Sequence, residues 1–460
     1  MTAPKRALNA LLLSFKRAAS RELAFMRKHQ WDSQAEIDRL QAERLGALLR
    51  HAHREVPYYG ELFDRIGFVP GETVTRRELE SIPLLPKSIV RGRSAELCSR
   101  DIAQRKIGEN HTSGSTGEPL ALQQEYADVE ISGGVVLRWF YEWHGMRPGD
   151  SELKLWGSER DLLTSKTSFV GDLRRRLRGI EILNAFRMTS DRMGEYLDRI
   201  NVVRPRMIRG YASNLFELAR YAQEKGLTLH PPKLVVSSAG TLYPDMRDRM
   251  EAVFGCPVFD HYGSRDMHNM AMECPEKKGL HLSSFTHLVE VVDDDGTPCA
   301  PGEEGNLVVT ALTNYSQPLI RYCIGDRGVL GEDICACGRG MRKLSSITGR
   351  RVDCFRTREG RVVPGEYFIY ILGVFLEDTP FVRAQAIQPD FDHVEVNLEL
   401  RPGEELREAT KDEIVDKTRL VMGAECRVDI NVVSEIPPLP NGKYPYTICR
   451  LPGAANLEPE

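Results

Sequence analysis

The sequence predicts an α/β protein with a large, multi-subdomain N-terminal body of doubly wound parallel sheets plus a β-rich part, followed by a small α+β C-terminal domain. Two observations carry this prediction: strand and helix patterns alternate through the middle of the chain, and the apolar period changes to two after residue 282. A chain of 460 residues is also too long for one hydrophobic core and long enough for two or three. We expect the body to span residues 1–348, with a helical start over 1–100, and the C-terminal domain to span 349–460.

The middle of the chain predicts the parallel sheet. Its strand segments are 207–209, 233–237 and 257–261, and the helical segments between them are 213–224 and 244–255. Short links between such segments give right-handed crossovers and therefore parallel strands. Because ligands of these sheets bind outside the carboxyl ends of the strands, a site is expected at 210–213, 238–242 and 262–266.

The later part of the chain predicts antiparallel structure. Segments 288–292 and 306–312 have strand-like alternation and flank the turn-rich segment 293–305. A small α+β unit is predicted beyond residue 349. Its strands are 382–388, 394–400 and 427–433, and its helices lie near 366–376 and 412–422.

The N-terminal part predicts helices. Ser33 and Glu36 have capping-box spacing, in which each side chain can satisfy a backbone N–H group of the other residue. An apolar stripe at helical spacing follows and ends before Pro57. The basic start and the short apolar run 7–15 resemble a signal peptide only weakly, because no small-residue cleavage site follows. We therefore expect a cytoplasmic protein.

Composition excludes several classes of protein. The 62 Lys and Arg residues nearly balance 66 Asp and Glu residues, for a formal net charge of −4, so no general excess of charge is available to bind polyanions. The basic cluster at 174–178 is interpreted as a solvated helix face, and no nucleic-acid partner is expected. No apolar run reaches the ~20 residues of a membrane span. The ten cysteines are interpreted as thiols or metal ligands rather than disulfides.

Residues 111–119, His-Thr-Ser-Gly-Ser-Thr-Gly-Glu-Pro, form the densest chemical motif. Gly114 and Gly117 allow tight turns that present backbone N–H groups to an anion, and four hydroxyl groups add further donors. These hydroxyls belong to Thr112, Ser113, Ser115 and Thr116. The Gly-Lys-Ser/Thr ending of a Walker A loop is missing. On composition alone, a phosphate-binding loop and an ordinary polar turn both fit.

Three shorter motifs follow along the chain. Residues 260–266, Asp-His-Tyr-Gly-Ser-Arg-Asp, place an aromatic ring where it can stack on a base and Asp266 where it can ligate a divalent ion. In residues 321–326, Arg-Tyr-Cys-Ile-Gly-Asp, Asp326 follows a glycine turn and can hold ribose hydroxyls. In residues 440–443, Pro-Asn-Gly-Lys, a turn near the C-terminus presents Lys443. Each motif alone also fits an ordinary turn with solvated side chains.

Together and in this order, the four motifs resemble those of the adenylate-forming superfamily of acyl-CoA synthetases, luciferases and peptide-synthetase adenylation domains. Further segments resemble its phenylacetate–CoA ligase-like branch, which includes members associated with capsule polysaccharide. These segments are 56–59, 82–87, 156–157 and 209–213. The resemblance covers nearly the whole chain, and it implies that the C-terminal domain is a mobile lid.

The resemblance implies a role for each matching residue. Loop 112–117 would hold the β- and γ-phosphates of ATP, Asp266 would take the Mg²⁺-binding position, and Lys443 would stabilise the adenylation transition state; Lys443, Asp266 and Thr112 are the expected catalytic residues. Asp326 would bind the ribose, and Arg350 would make a nearby nucleotide contact. The residues expected to line the adenine and the rest of the nucleotide are Ala239, Gly240, Thr241, Asp260, His261, Tyr262, Gly263 and Ser264.

The chain departs from the family pattern at four positions. Asp266 replaces the usual Glu, so the metal would shift or require a bridging water. Gly240 replaces a Glu that is common in this branch, and Arg265 stands where relatives often have Thr. In the hinge motif 349–353, Val352 stands where an Asp is frequent, which leaves the identity of the pivot residue open.

A zinc site is the other constellation. Cys274 and His281 lie seven residues apart, and Cys335 and Cys337 share a tight turn. Three thiolates and one imidazole suit tetrahedral Zn²⁺ with no open position, and such a zinc ion is structural. Similar Cys and His positions occur in the resembling branch. His287 is the runner-up ligand, and the alternative is ordinary buried or surface cysteines.

The resemblance therefore implies an ATP-dependent carboxylate ligase, with ATP, Mg²⁺, coenzyme A and structural Zn²⁺ as cofactors. It would form an acyl-adenylate and pass the acyl group to coenzyme A; transfer to an amine or to a carrier-protein thiol is a second possibility, and a zinc-stabilised nucleotide-binding protein without catalysis is a third. The chain would act as a monomer or homodimer. The acid pocket is expected to draw on 138–143, 156–158, 211–213 and 237–239, and Arg209 could meet a second carboxylate or form an ion pair.

Overall fold

The computed structural model describes most of the body and part of the C-terminal domain. The described residues are 17–111, 120–156, 179–185, 193–332, 334–350, 355–358, 362–363, 368, 372, 380–401, 403–436 and 447–451. The confirmed α/β architecture consists of one large sheet with helices on both faces, and a separate small sheet in the C-terminal domain.

The described N-terminal segment is helical, as predicted. Its helices are α1 (Arg17–His29), α2 (Gln34–Glu55), α3 (Pro57–Ile66), α4 (Arg76–Leu79) and α5 (Lys87–Gly92), followed by a 3₁₀ turn at Ile102–Gln104. Only half of the predicted capping box forms at α2: Ser33 accepts from the Glu36 N–H at 3.3 Å, whereas the Glu36 carboxylate accepts from Arg39. The Glu36 side chain therefore forms a salt bridge with Arg39 instead of completing the capping box.

Eleven strands form the large sheet. They are β3 (Glu152–Trp156), β4 (Ile180–Asn184), β5 (Met207–Tyr211), β6 (Leu234–Ser238), β7 (Val258–Ser264), β8 (His268–Glu273), β9 (Leu280–Leu282), β10 (His287–Val292), β11 (Glu304–Ala311), β12 (Tyr322–Leu330) and β13 (Lys343–Arg350). Their order is β10-β11-β12-β13-β9-β8-β7-β6-β5-β3-β4. The half from β4 to β7 is parallel and the rest is antiparallel. The β-rich part is thus continuous with the parallel part.

Helices cover both faces of the parallel half. They are α6 (Tyr126–Asp128), α7 (Val136–Trp143), α8 (Met193–Val203), α9 (Ala212–Glu224) and α10 (Pro244–Phe254), and a π-helix (Val129–Val135) joins α6 to α7. Alternation along β5 explains the two layers: Ile208 packs in the core of α8, α9 and α10, whereas Met207 packs with Trp139 and Phe140 of α7. Pro244 opens α10 and Gly255, at φ 63°, ends it, as predicted.

Two smaller units complete the described chain. A hairpin of β1 (Ile107–His111) and β2 (Ala121–Glu125) flanks residues 112–119. The C-terminal domain contains the pair β14 (Phe355–Arg356) and β15 (Val362–Val363), then β16 (Phe381–Asp390), β17 (His393–Leu400), α11 (Glu408–Met422), β18 (Arg427–Val433) and β19 (Thr447–Cys449). The order β18-β17-β16-β19 gives a sheet with its own apolar core. The predicted helix near 366–376 falls largely outside the described residues.

In the part of the chain that is described, none of the helices combines the length and the apolar character that crossing a membrane requires.

Candidate active site

The carboxyl edge of the parallel strands brings together the ends of β5, β6 and β7. Tyr211 is the register partner of Ser238, and Ser238 is the register partner of His261. The three predicted segments therefore start from one edge of the sheet. This is the position at which open α/β sheets bind their ligands.

The turn after β6 supplies the segment expected at the adenine. Ala239 has φ 57°, in the left-handed region that a side chain disfavours, and Ala239 and Gly240 are both exposed. A Cβ atom on Gly240 would lie 3.4 Å from the Ala212 Cβ, so the contact is tight without forbidding a side chain. The exposed, sharply turned backbone fits a surface that a flat ligand covers.

Two tyrosine–aspartate pairs tie the second motif to the third. The Tyr262 hydroxyl donates to Asp326 Oδ2 at 2.7 Å, and the Tyr322 hydroxyl donates to Asp266 Oδ2 at 2.8 Å. Each motif thus contributes one tyrosine and one aspartate, and each aspartate is held by the other motif. Burial and then the charge of Asp266 raise the pKa of Tyr322 far above its usual value, so the phenol remains a donor.

These two hydrogen bonds bring the second and third motifs into contact, and with them Asp266 and Asp326. Each carboxylate accepts a hydrogen bond from a neutral hydroxyl, which orients it without neutralising its charge. Asp326 is also the backbone partner of Arg350 across β12 and β13. The structure therefore brings together three of the residues for which nucleotide contacts were predicted.

Sequence reasoning missed the pairing itself. The signal was present, because Tyr262 precedes Asp266 and Tyr322 precedes Asp326 by the same four residues. Burial of the two rings, with Tyr262 9% exposed and Tyr322 fully buried, shows that their hydroxyls reach the edge from inside the core. The predicted contact of Tyr262 with adenine stays a prediction, and its hydroxyl has this second role.

The strands on either side of residues 112–119 are hydrogen-bonded to the motif at 260–266. Gln124 Nε2 donates to the carbonyl oxygens of Arg265 and Asp266, both at 3.2 Å. Asn110 Nδ2 donates to the Arg265 carbonyl at 2.8 Å and to Gln124 Oε1 at 2.9 Å. This amide pair joins the base of the predicted phosphate loop to the backbone of Asp266.

The remaining residues of the 260–266 motif support the fold of this edge. His261 is buried and its Nδ1 lies 2.9 Å from Ser238 Oγ; burial, with the charge of Arg209, lowers its pKa well below the usual value. The Asp260 N–H donates to Glu273, and Ser264 Oγ accepts from the Met267 N–H. Gly263 is required sterically, since a Cβ atom there would lie 2.5 Å from the His268 carbonyl oxygen.

The predicted phosphate loop and the predicted catalytic lysine lie outside the described residues. The predictions for Thr112, Ser113, Gly114, Ser115, Thr116 and Gly117 fall in 112–119, and that for Lys443 falls in 437–446. The hinge residue Val352 falls in 351–354. Their roles stay predictions.

The structure also brings the four predicted zinc ligands together. One ligand atom from each of Cys274, His281, Cys335 and Cys337 lies within 4.8 Å of the others. The Cys274 and Cys335 sulfurs are 3.6 Å apart, close to the edge of about 3.8 Å expected for two sulfurs bound tetrahedrally at about 2.3 Å from zinc. Cys337 Sγ lies 3.3 Å from His281 Nε2. The donor set and its geometry fit a closed zinc site.

The surroundings of this Cys/His cluster fit the structural role predicted for it. His281 Nδ1 faces the Met341 carbonyl at 3.4 Å, the contact by which proteins orient a ligating imidazole. Burial lowers the pKa of His281 to about 4, so the ring is neutral at neutral pH. Gly340, after the Cys335–Cys337 turn, donates to the Gln30 carbonyl at 3.1 Å and so links the cluster to α1. The runner-up His287 lies elsewhere, with its Nδ1 3.0 Å from Thr286 Oγ1.

The expected acid pocket divides into core and surface. Trp139 and Phe140 are fully buried in the core of α7. Trp156 stacks on Tyr211 with ring centroids 4.6 Å apart, and the Arg209 guanidinium lies 4.9 Å from the Trp156 ring. These last three side chains lie at or just behind the carboxyl edge.

Comparison with known proteins agrees with this geometry. The family described as CapK C-terminal domain matches residues 355–450. The chain is 26% identical over 439 residues to a phenylacetate-coenzyme A ligase of Aromatoleum evansii, covering 91% of this chain and 96% of that protein. It is 23% identical over 415 residues to Protein CapK of Staphylococcus aureus, covering 89% of this chain and 88% of that protein.

The solved structures agree on the fold. A 2-hydroxyisobutyryl-CoA ligase in its postadenylation state matches with a TM-score of 0.68 and 18% identity, covering 92% of this chain and 91% of that chain. The fold is therefore that of the adenylate-forming ligases. Within that class, the sequence is similar over most of its length to the branch of phenylacetate–CoA ligases and CapK proteins, which confirms the resemblance read from the motifs.

Proposed function

We propose that this protein is an ATP-dependent, AMP-forming carboxylate–CoA ligase. The observation that carries the proposal is the pair of Tyr–Asp contacts, which joins the two motifs predicted to bind the nucleotide at the carboxyl edge of the parallel sheet, beside the hairpin that flanks residues 112–119. Likeness to named phenylacetate–CoA ligases supports the same reaction class. In the first step, the acid's carboxylate oxygen bonds to the α-phosphorus of ATP, and pyrophosphate leaves. In the second, the coenzyme A thiol attacks the acyl carbon, and AMP leaves.

Anion stabilisation is the chief requirement of the first step, because a carboxylate approaches a polyphosphate. Backbone N–H and hydroxyl groups of residues 112–117 would bind the β- and γ-phosphates. Asp326, oriented by Tyr262, would accept from the ribose hydroxyls. Phosphate binding of this kind depends on N–H groups and therefore needs no excess of positive charge in the chain.

Asp266 would hold Mg²⁺, which suits its hard carboxylate oxygens. When bound, the ion would neutralise charge on the phosphates. Tyr322 fixes one Asp266 oxygen at 2.8 Å, and Gln124 fixes the Asp266 carbonyl at 3.2 Å, so both the side chain and the backbone of this residue are positioned. The Asp266 carboxylate is one methylene shorter than the usual Glu. From this fixed position it would reach Mg²⁺ either directly or through a bridging water molecule.

Lys443 would add a positive charge at the α-phosphate during adenylation. Rotation of the C-terminal domain about 349–353 would then withdraw Lys443 and open the adenylate to the thiol, a hinge mechanism. The Cys/His cluster would hold Zn²⁺ as a structural ion, since its four ligands leave no open position.

Pyrophosphate exchange with a panel of carboxylic acids tests adenylation. Wild type should exchange with at least one acid, and Lys443→Ala should lose about 10²–10³-fold in rate, because a charge is removed from the transition state. Lys411→Ala is the matched control, since Lys411 is a C-terminal-domain lysine whose partner is the surface residue Glu408. If wild type exchanges no faster than Lys443→Ala with any acid of the panel, the proposed ligase activity is refuted, and a nucleotide-binding protein without catalysis is favoured.

Acceptor choice is tested separately by AMP formation. Coenzyme A should accelerate AMP release and yield a thioester, whereas amines should not. A protein that adenylates acids but forms amides instead of thioesters would instead be an amide-forming ligase of the same fold.

A further inference from the structure

Arg209 is a buried cation behind the carboxyl edge. It lies on β5, two residues before the strand ends at Tyr211, and only 9% of it is exposed. Alternation along β5 directs its side chain to the same face of the sheet as Tyr211, towards α7. Because Tyr211, Ser238 and His261 are register partners at the edge, Arg209 lies just below the surface on which the acid is expected.

Among the residues that the structure describes, the contacts of Arg209 include no carboxylate. The guanidinium lies 4.9 Å from the Trp156 ring, and Nη1 donates to the Tyr141 hydroxyl at the long distance of 3.4 Å. The buried Nε atom has no hydrogen-bond acceptor, and no carboxylate within the described ranges forms an ion pair with Arg209. Burying a cation in this state is costly unless an anion accompanies it.

The neighbouring side chains that the structure describes do not supply that anion. Glu152 is linked to Arg209 through the Tyr141 hydroxyl: the Glu152 carboxylate accepts from this hydroxyl at 3.3 Å and lies 3.6 Å from Lys154 Nζ. The charge of Arg209 itself contributes to keeping His261 neutral. The side chains around the Arg209 guanidinium are therefore neutral and largely aromatic; they belong to Tyr141, Trp156 and His261.

We propose that the acid activated here carries a second anionic group and that Arg209 binds it, so that the substrate is a short dicarboxylic acid. A guanidinium offers two parallel N–H donors that match a carboxylate, and stacking on Trp156 holds the plane of the fork. The first carboxylate would face the nucleotide at the edge, and the second would reach Arg209 behind it. This inference rests on the proposed ligase function and specifies its substrate class.

Matched acid pairs test the inference. Pyrophosphate exchange is measured with succinate against butyrate and with glutarate against valerate, and the ratio of kcat/KM for diacid over monoacid is the readout. Wild type should prefer the diacid by more than about ten-fold, because a site built to pair a polar group rejects an analogue that lacks it. Arg209→Met should lower that ratio by about 10–100-fold, and Arg209→Lys should lower it less, since the charge remains but the fork is lost.

Arg206→Met is the control, because Arg206 immediately precedes β5, at the end away from the carboxyl edge, and pairs with Asp150 at 3.2 Å; the ratio for this variant should equal that of wild type. A wild-type ratio at or below one overturns the inference, even if Arg209→Met fails to fold. A diacid preference that survives in Arg209→Met overturns it as well. Exchange with monoacids but not diacids would leave the ligase function standing, whereas exchange with no acid would remove both.

Discussion

The body contains two polar centres that are built in opposite ways. In the Cys/His cluster, four ligand atoms converge within 4.8 Å, and three of the four residues are buried. At the carboxyl edge, Asp266 and Asp326 each accept from a tyrosine hydroxyl of the opposite motif, and the exposed Ala239–Gly240 turn lies on the same edge of the sheet. The four ligand atoms of the Cys/His cluster leave no open position for a substrate, so we interpret this cluster as structural. The second centre holds its carboxylates in place through tyrosine hydroxyls beside an exposed turn, which suits substrates that bind and leave.

Loss of the proposed zinc ion should produce the largest change in stability. Cys337→Ser removes one of the four proposed zinc ligands, and binding energy at a structural zinc site is folding energy, on the order of 10 kcal/mol in small domains. We expect the purified wild type to hold one zinc per chain by elemental analysis, and the variant to lose zinc and to melt at a markedly lower temperature. Cys98→Ser, at a half-buried thiol that donates to the Ser94 carbonyl, should keep both the zinc and the melting temperature.

A wild-type protein that contains no zinc would contradict the interpretation of the Cys/His cluster as a structural metal site. The same would follow if Cys337→Ser lowered the exchange rate of the folded protein while leaving the melting temperature unchanged, because the cluster would then be functional rather than architectural.

Removing a tyrosine hydroxyl at the edge should have an intermediate effect. Tyr322→Phe leaves Asp266 without its oriented donor, and a hydrogen bond to a charged group contributes about 1.5–3 kcal/mol. We expect a loss of about 10–100-fold in exchange rate, with a raised requirement for Mg²⁺. Tyr262→Phe acts on Asp326 and should instead raise the KM for ATP.

Tyr59→Phe is the matched control for both variants. The Tyr59 hydroxyl is also buried, but it donates to the Pro318 carbonyl at 3.0 Å, so its loss should lower stability without changing the metal or ATP requirement. Equal kinetic effects of all three substitutions would mean that the Tyr–Asp pairs are merely part of the core.

Disrupting the amide pair of Asn110 and Gln124, which flanks the predicted phosphate loop, should give the smallest effect. Gln124→Leu keeps the shape but removes the donor to the Arg265 and Asp266 carbonyls. We expect about a three- to ten-fold loss in kcat/KM for ATP, since neutral hydrogen bonds contribute about 0.5–1.5 kcal/mol each. Gln123→Leu tests the neighbouring side chain, which contacts Glu109 at 3.3 Å and should leave kcat/KM for ATP unchanged. The opposite ranking of the two variants would contradict the positioning role.

Local patterns accounted for much of what the sequence predicted correctly. Strands β5, β6 and β7 and the helices α9 and α10 were predicted because an apolar period and a Pro or Gly boundary are properties of contiguous residues. The capping box at Ser33 was only half right, because Arg39 competes for the Glu36 carboxylate. That competition depends on side-chain geometry, which spacing alone does not describe.

The sites were predicted unevenly for a related reason. Residues 260–266 and 321–326 were each recognised as motifs, but their reciprocal pairing was not, because nothing local states which hydroxyl reaches which carboxylate. Two thiols at Cys335 and Cys337 were recognisable as a turn with ligands, yet their convergence with Cys274 and His281 required strands β9 and β13 to pair.

The sequence by itself determined the α/β architecture, the order of the motifs and the resemblance to adenylate-forming ligases. Those follow from residue type and spacing, which are one-dimensional. Only the tertiary structure decided that Asp266 and Asp326 are held by each other's motifs, that the four zinc-ligand candidates converge, and that Arg209 is buried without a carboxylate partner among the described residues. Each of these is a relation between distant segments, and it exists only once the sheet has brought their strands side by side.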